Sequence, residues 1–343
     1  MKKKIIISVS AVLLIAVILA LFSALLVPKY ITNPEGRLTS EYYSQSSDND
    51  VIFLGDCEAY ETFVPAILWE KYGISSYVRG NSQQLIWHSY YILEETLKYE
   101  TPKAVVFNVY ALKYGTPQNE AYNRLAFDNM KWSKTKFDAI RASMMEDENL
   151  LDYVFPLLRY HSRVTELEKN DFKYWFEEPE RATDSGYLMN VGVAPRPENS
   201  PRERLDYDFS ETSLDYLDKM KKLCDDNGVE LILVKAPTNS SEYYWYDEYE
   251  EQVLKYLEGK DIKYYNLIEK EEEIGLDWNL DTYDYGFHLN VYGAEKTTEY
   301  FGKILSEEHE IPDRRNEESL SSKWNERIQK YKDRKEKMEA EEK

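Results

Sequence analysis

Two side chains in this sequence have the types needed for nucleophilic catalysis and lie in stretches that would present them. Cys57 sits in DVIFLGDCEAYETF, residues 50–63, and His288 in DTYDYGFHLNVYGAEK, residues 281–296. A thiol attacks an acyl carbon as its thiolate. A free cysteine, with a pKa of about 8.5, therefore needs a helix N-terminus or an imidazole beside it. Val51–Leu54 reads as a short apolar strand, Gly55 as a tight turn, and the residues from Glu58 as a helical run. That order would carry Cys57 to a helix N-terminus, where the dipole favours negative charge. His288, in a glycine-containing loop before the amphipathic run LNVYGAEKTTEYF, offers the imidazole. A carboxylate orienting the ring would complete a Cys-His-Asp arrangement, which is defined by geometry and not by order along the chain.

The elements that must position these groups alternate. Short apolar strands are predicted at 51–54, 75–78, 103–110, 229–234 and 262–267, with helices at 65–72, 84–99, 210–227 and 246–257 between them and the amphipathic run last. Continuous apolar strands separated by helices imply a parallel sheet with both faces covered, so the fold class is α/β and doubly wound. Residues 111–208 are too long for an ordinary connection. With helical patches around 134–145 and 149–165, they read as an inserted helical subdomain or lid at the carboxyl edge of the sheet, where it would border a site.

These stretches resemble the SGNH (GDSL-type) hydrolases. GDC at 55–57 is similar to that family's GDS block, with Cys57 where the nucleophilic serine stands, and residues 281–296 resemble the block that supplies its Asp and His. The nearest resemblance is to the membrane-anchored DltD-like and alginate-O-acetylation-type group. It implies a flavodoxin-like, SGNH-type sheet, with His288 as base and an oxyanion hole built from the Cys57 N–H, Gly80 and Asn108, Asn81 competing with Asn108. The family's acid lies three residues before the histidine, and here that position is Tyr285. Asp284 is the nearest substitute and Asp281 the next. The resemblance further implies acyl hydrolysis or O-acyl transfer on a cell-envelope polysaccharide or related polymer, with a membrane-bound O-acyltransferase as a candidate partner. The alternative is a catalytically inactive SGNH-like accessory domain that binds such a polymer or acyltransferase. Cysteine in place of serine, and Tyr285 in the acid position, fit that alternative.

Lys2–Lys4 precede an uncharged stretch from Ile5 to Val27. At about 1.5 Å per residue it spans the roughly 30 Å hydrocarbon of a bilayer. It is read as an uncleaved anchor, because no small-x-small cleavage site follows, with the basic N-terminus (1–4) in the cytoplasm and the main domain outside. Residues 28–49 read as a linker, 50–308 as the α/β domain and 309–343 as a solvated charged tail. A net charge of -20 argues against nucleic acid as a partner.

Only two cysteines occur, Cys57 and Cys224; the latter falls on the apolar stripe of a helix and reads as core, not as half of a disulfide. His88, His161 and His309 are isolated. No HExxH or CxxC pattern, P-loop or dinucleotide glycine fingerprint is present, so no metal or cofactor is expected. Of the 30 tyrosines, the group Tyr243–Tyr246, after the loop that follows the VELILV strand, has the best position for contact with a ligand. Asn239-Ser240-Ser241 matches a glycosylation acceptor.

Overall fold

The computed structural model describes residues 2–30, 33–45, 48–177, 179–195, 207–239 and 245–342. The chain opens with α1 (Lys2–Leu26), long and apolar enough to cross a membrane. Then follow α2 (Leu38–Gln45), β1 (Val51–Gly55), α3 (Cys57–Tyr60), α4 (Pro65–Tyr72), β2 (Ser76–Gly80), α5 (Ile86–Thr96) and β3 (Ala104–Asn108). The long insertion carries α6 (Glu120–Phe127), α7 (Lys134–Ser143), α8 (Leu150–Val154), α9 (Pro156–Tyr160) and α10 (Lys169–Lys173). The α/β pattern resumes with α11 (Glu211–Asp226), β4 (Glu230–Lys235), α12 (Asp247–Leu257) and β5 (Lys263–Asn266), and ends in α13 (Glu271–Ile274), α14 (Val291–Glu307) and α15 (Glu318–Glu341).

The five strands form one parallel sheet in the order β2-β1-β3-β4-β5. Because side chains alternate along a strand, each strand feeds two cores. Ile52, Leu54, Val105, Phe107, Leu231 and Leu233 pack with α5, α11 and α12. Val51, Phe53, Val106, Ile232 and Val234 pack on the other face with Leu68 of α4 and Phe301 and Leu305 of α14. The strand order reverses direction between β1 and β3, and a crevice outside the carboxyl ends of strands forms at such a point. Cys57 follows β1 there, and Asn108 ends β3.

Two segments differ from the sequence expectations. The stretch read as a linker folds in part: Leu38 and Tyr42 of α2 are buried, and Glu41 accepts hydrogen bonds from the Ala182 and Thr183 N–H groups at 2.7 and 3.1 Å. Its polar residues are satisfied by a distant segment, which local composition does not reveal.

The tail is not simply solvated either. Leu320, Trp324 and Tyr331 of α15 are buried, and the Trp324 indole stacks on Trp69 of α4 with centroids 5.4 Å apart and planes 9° from parallel. Arg314 ties the start of this segment to Asp48 and Asp50 near β1, at 2.9 and 3.2 Å. Removing a buried tryptophan leaves a large cavity, so Trp324→Ala should cost about 3–5 kcal/mol in chemical denaturation. A change within 0.5 kcal/mol, as for ordinary surface substitutions, would mean that α15 does not hold the domain.

The insertion has its own small core of Ala126, Phe127, Met130, Ala139, Ile140 and Tyr153. Its helices contact α1, α2 and α5. The exit segment runs beside β2 to α3: the Val78 N–H donates to the Ser185 carbonyl, and the Leu188 N–H to the Tyr60 carbonyl.

Candidate active site

Cys57 opens α3 with Asp56 as its N-cap; the Asp56 carboxylate accepts from the Glu58 N–H at 3.2 Å. As the first residue of the helix, Cys57 has an N–H without an intrahelical acceptor. The β1–α3 turn is tight for a steric reason. A Cβ on Gly55 would lie 2.8 Å from Ala59 Cβ and 2.9 Å from Asn108 Cβ, and one on Gly80 would lie 2.8 Å from the Tyr60 ring and 3.1 Å from the Gly55 carbonyl. Gly55 and Gly80 pair across β1 and β2, which sets the Gly80 backbone beside the nucleophile turn.

The second half of the site comes from the loop before α14. Asp284 holds His288 twice: one carboxylate oxygen accepts from the His288 backbone N–H at 2.8 Å, and the other meets ring Nδ1 at 2.6 Å. Tyr285 and Gly286, at φ 69° and 94°, turn the chain through the left-handed region between them. That turn lets a carboxylate four residues back reach the ring. Asp281, the competing acid, instead binds Lys296 at 2.6 Å and the Asp277 N–H at 2.7 Å.

The loop is anchored from two sides. The Asn239 N–H donates to the Gly286 carbonyl at 2.9 Å, and Thr238 donates to it at 3.2 Å. The exit of the insertion bridges it through Ala194, whose N–H donates to Thr282 and whose carbonyl accepts from Tyr285. Asn290 then caps α14 while its amide donates to Leu280 and Gly192.

Cys57 and the His288 ring lie close enough that each favours the other's charged form. Two residues absent from the sequence reading join them. Glu61, one turn beyond Cys57, lies 3.7 Å from Nδ1 of His288 and accepts from the Tyr283 hydroxyl at 2.8 Å; the Tyr283 ring stacks on the imidazole. Burial pushes Glu61 up to about 7, against the pull of His288 and Tyr283. Burial also works against charge on His288, but Cys57, Glu61 and Asp284 together outweigh it and hold the imidazole well above its usual range. The spacing of Glu61 from Cys57 was a usable sequence signal, because residues four apart share a helix face.

Cys57 is half-buried, and burial pushes its thiol up to about 11 despite His288. In the resting protein the thiolate fraction should therefore increase with each pH unit toward 11. Alkylation of Cys57 by iodoacetamide is expected to climb from pH 7 through 9 without levelling. A plateau reached by pH 7 would mean that the resting site already holds a thiolate–imidazolium pair.

Beneath Cys57 lies a buried polar knot stitched from three strand ends. Lys235, at the end of β4, meets Glu58 at 2.8 Å, with 0% and 1% of the two side chains exposed. Asn108, at the end of β3, donates to the same Glu58 oxygen at 2.8 Å and accepts from the Ala236 N–H at 3.1 Å. To serve as oxyanion donor, Asn108 would have to give up its bond to Glu58. Asn81 is likewise engaged, donating to Gln84 at 3.0 Å. Asp56, also in contact with Asn108, is pushed up to about 7, first by burial and then by Glu58.

The remaining candidates fall elsewhere. Both cysteines are free, and Cys224 is core. His88 is interior, held low at about 3 by burial; His161 is exposed and His309 pairs with Glu230. Trp245 packs with Phe209 and Tyr249 in the core, whereas Tyr243, Tyr244, Ser240 and Ser241 lie outside the described residues. In comparisons with known proteins, no family model matches the chain and no curated protein matches it in sequence.

Proposed function

We propose that this protein is a membrane-anchored, extracytoplasmic acyl hydrolase or O-acyltransferase of SGNH type, with a doubly wound sheet, acting on a cell-envelope glycopolymer through Cys57, His288 and Asp284. The observation that carries this reading is geometric: Glu61, one turn on from Cys57 at the end of β1, lies 3.7 Å from an Asp284-held imidazole that comes from the far end of the chain. Packing alone does not require a nucleophile, a base and an orienting acid in series.

In the proposed reaction the Cys57 sulfur attacks the ester carbonyl as its proton passes to the neutral form of His288, the form that grows as pH rises because the site favours the charged ring. Asp284 and Glu61 stabilise the imidazolium so formed. The tetrahedral oxyanion takes hydrogen bonds from backbone N–H groups of Cys57 and Gly80. Collapse breaks the carbon–oxygen bond, and His288 returns its proton to the leaving alcohol. Water or an acceptor hydroxyl, deprotonated by His288, then attacks the thioester and regenerates the thiol. Asn108 has a positioning role, holding Glu58.

The test is intact mass of the full-length protein in detergent after brief exposure to an activated acyl ester such as p-nitrophenyl acetate. A single adduct, mapped to Cys57 and absent from Cys57→Ala, is expected. The buried Cys224 is the internal control. Labelling of Cys57 no faster than Cys224 would overturn the reading and favour the accessory alternative, a polymer- or acyltransferase-binding domain. That alternative draws on one observation, the high ionisation point of the buried thiol.

A further inference from the structure

The insertion presents large apolar side chains to solvent around α9 and α10. Phe155 is 57% exposed, Leu158 50%, Val164 56%, Phe172 49% and Phe176 85%. Large apolar side chains exposed together on adjoining segments mark a surface that meets something other than water. Its place in the fold says what. The segments in contact with α1 are α9, α10 and the short turn His161–Thr165 between them. The Arg163 guanidinium bonds the Leu26 carbonyl at the end of α1 and pairs with Asp171 of α10 at 3.0 Å, locking that end of the helix to the insertion.

α1 itself divides at the same level. Every residue from Lys2 to Phe22 is exposed, and burial begins only at Ser23–Leu26. Past the three lysines, at about 1.5 Å per residue, the bare part from Ile5 to Phe22 spans roughly 27 Å, close to the roughly 30 Å depth of a bilayer's hydrocarbon. The domain therefore begins where the hydrocarbon would end, and the segments at that boundary carry the exposed phenylalanines. Exposed Arg159, Lys169 and Lys173 stand among them, alongside Glu166 and Glu168. Long basic side chains beside apolar ones suit the boundary between acyl chains and phosphates.

We infer that α9, α10 and the turn between them form a membrane-interface foot, seated in the headgroup layer of the leaflet through which α1 emerges, with Phe155, Phe172 and Phe176 dipping toward the acyl chains. The foot rests on the reading of α1 as a membrane span. Its consequence is a fixed posture: a single-pass anchor alone lets a domain tumble, whereas an anchor plus a foot holds the Cys57 site at a set height and direction above the bilayer.

The test uses the full chain in phosphatidylcholine–phosphatidylglycerol nanodiscs, in a Cys57→Ser background with Cys224 buried. Nitroxide labels are placed one at a time at Phe155→Cys, Phe176→Cys, Ile15→Cys in α1, and Leu254→Cys on exposed α12. Collision with oxygen, which concentrates in lipid, is compared with collision with a water-soluble nickel chelate. The expected result is an oxygen-to-nickel ratio highest at 15, several-fold above the 254 value at 155 and 176, and lowest at 254. Positions 155 and 176 matching 254 while 15 remains lipid-exposed would overturn the foot alone. Water exposure at 15 would instead overturn the membrane span beneath it.

Discussion

His288→Ala is expected to slow acylation of Cys57 at neutral pH by about 10²–10⁴-fold, the usual range for losing a positioned acid–base group, while leaving the fold intact. The fold should survive because the imidazole's ties to Asp284 and Glu61 lie within the site, and its loop is held independently by Asn239, Thr238 and Asn290. The chemistry should not survive, because burial opposes ionisation of Cys57 and His288 is the first influence working against it. Without the ring the thiol moves further up, so the remaining reaction should steepen with pH. Stopped-flow or mass-resolved acylation of wild type and variant from pH 6 to 10 reads both effects. Equal rates at pH 7 would remove His288 from the mechanism, and a shared pH profile would show that it does not govern the thiol.

The second large effect is on stability. Lys235→Met should destabilise the domain by about 3–5 kcal/mol, because it leaves the Glu58 carboxylate buried without its counter-charge. Asn108 would still donate to that carboxylate, but one hydrogen bond does not offset a buried ion's lost solvation. The companion variant decides the cause: Lys235→Met with Glu58→Gln should recover most of the loss, since the amide accepts from Asn108 without carrying charge. Denaturant midpoints and slopes for the three proteins give the comparison. If the double variant is no more stable than the single one, the loss comes from packing at Lys235 and not from an orphaned charge. The pair lies directly under the nucleophile turn, so the same substitution is also expected to slow Cys57 acylation.

Local pattern made much of this legible. Pro65–Tyr72 was readable to the residue, with Pro65 starting the helix and Gly73, at φ 68°, ending it. The buried strands were visible because parallel strands covered on both faces read as unbroken apolar runs. Cys57, Gly80, His288 and Asp284 were nameable because each sits at a strand end or a glycine loop, where the chain punctuates itself. Less visible were Glu61, Glu58 and Lys235. As isolated letters they look like surface charges, and only sheet packing puts Lys235 at the end of β4 against Glu58 of α3. The folded linker and the docked tail were hidden for a related reason: α2 and α15 are mostly polar in sequence, and their few apolar contacts gain meaning only from the surfaces they meet.

The sequence by itself determined the α/β alternation, the N-terminal apolar helix, and the kinds of chemistry its loops can host, since these depend on periodicity, turn residues and side-chain type within short windows. Tertiary structure alone decided which carboxylate holds His288, since a left-handed turn at Tyr285–Gly286 brings Asp284 to the ring while Asp281 is taken by Lys296. It also decided that Asn108 is spent on Glu58, and that α9 and α10 of the insertion gather at the end of α1 while its exit segment braces the site. These outcomes depend on distances between residues far apart in the chain, which the packing of the sheet and its helices sets.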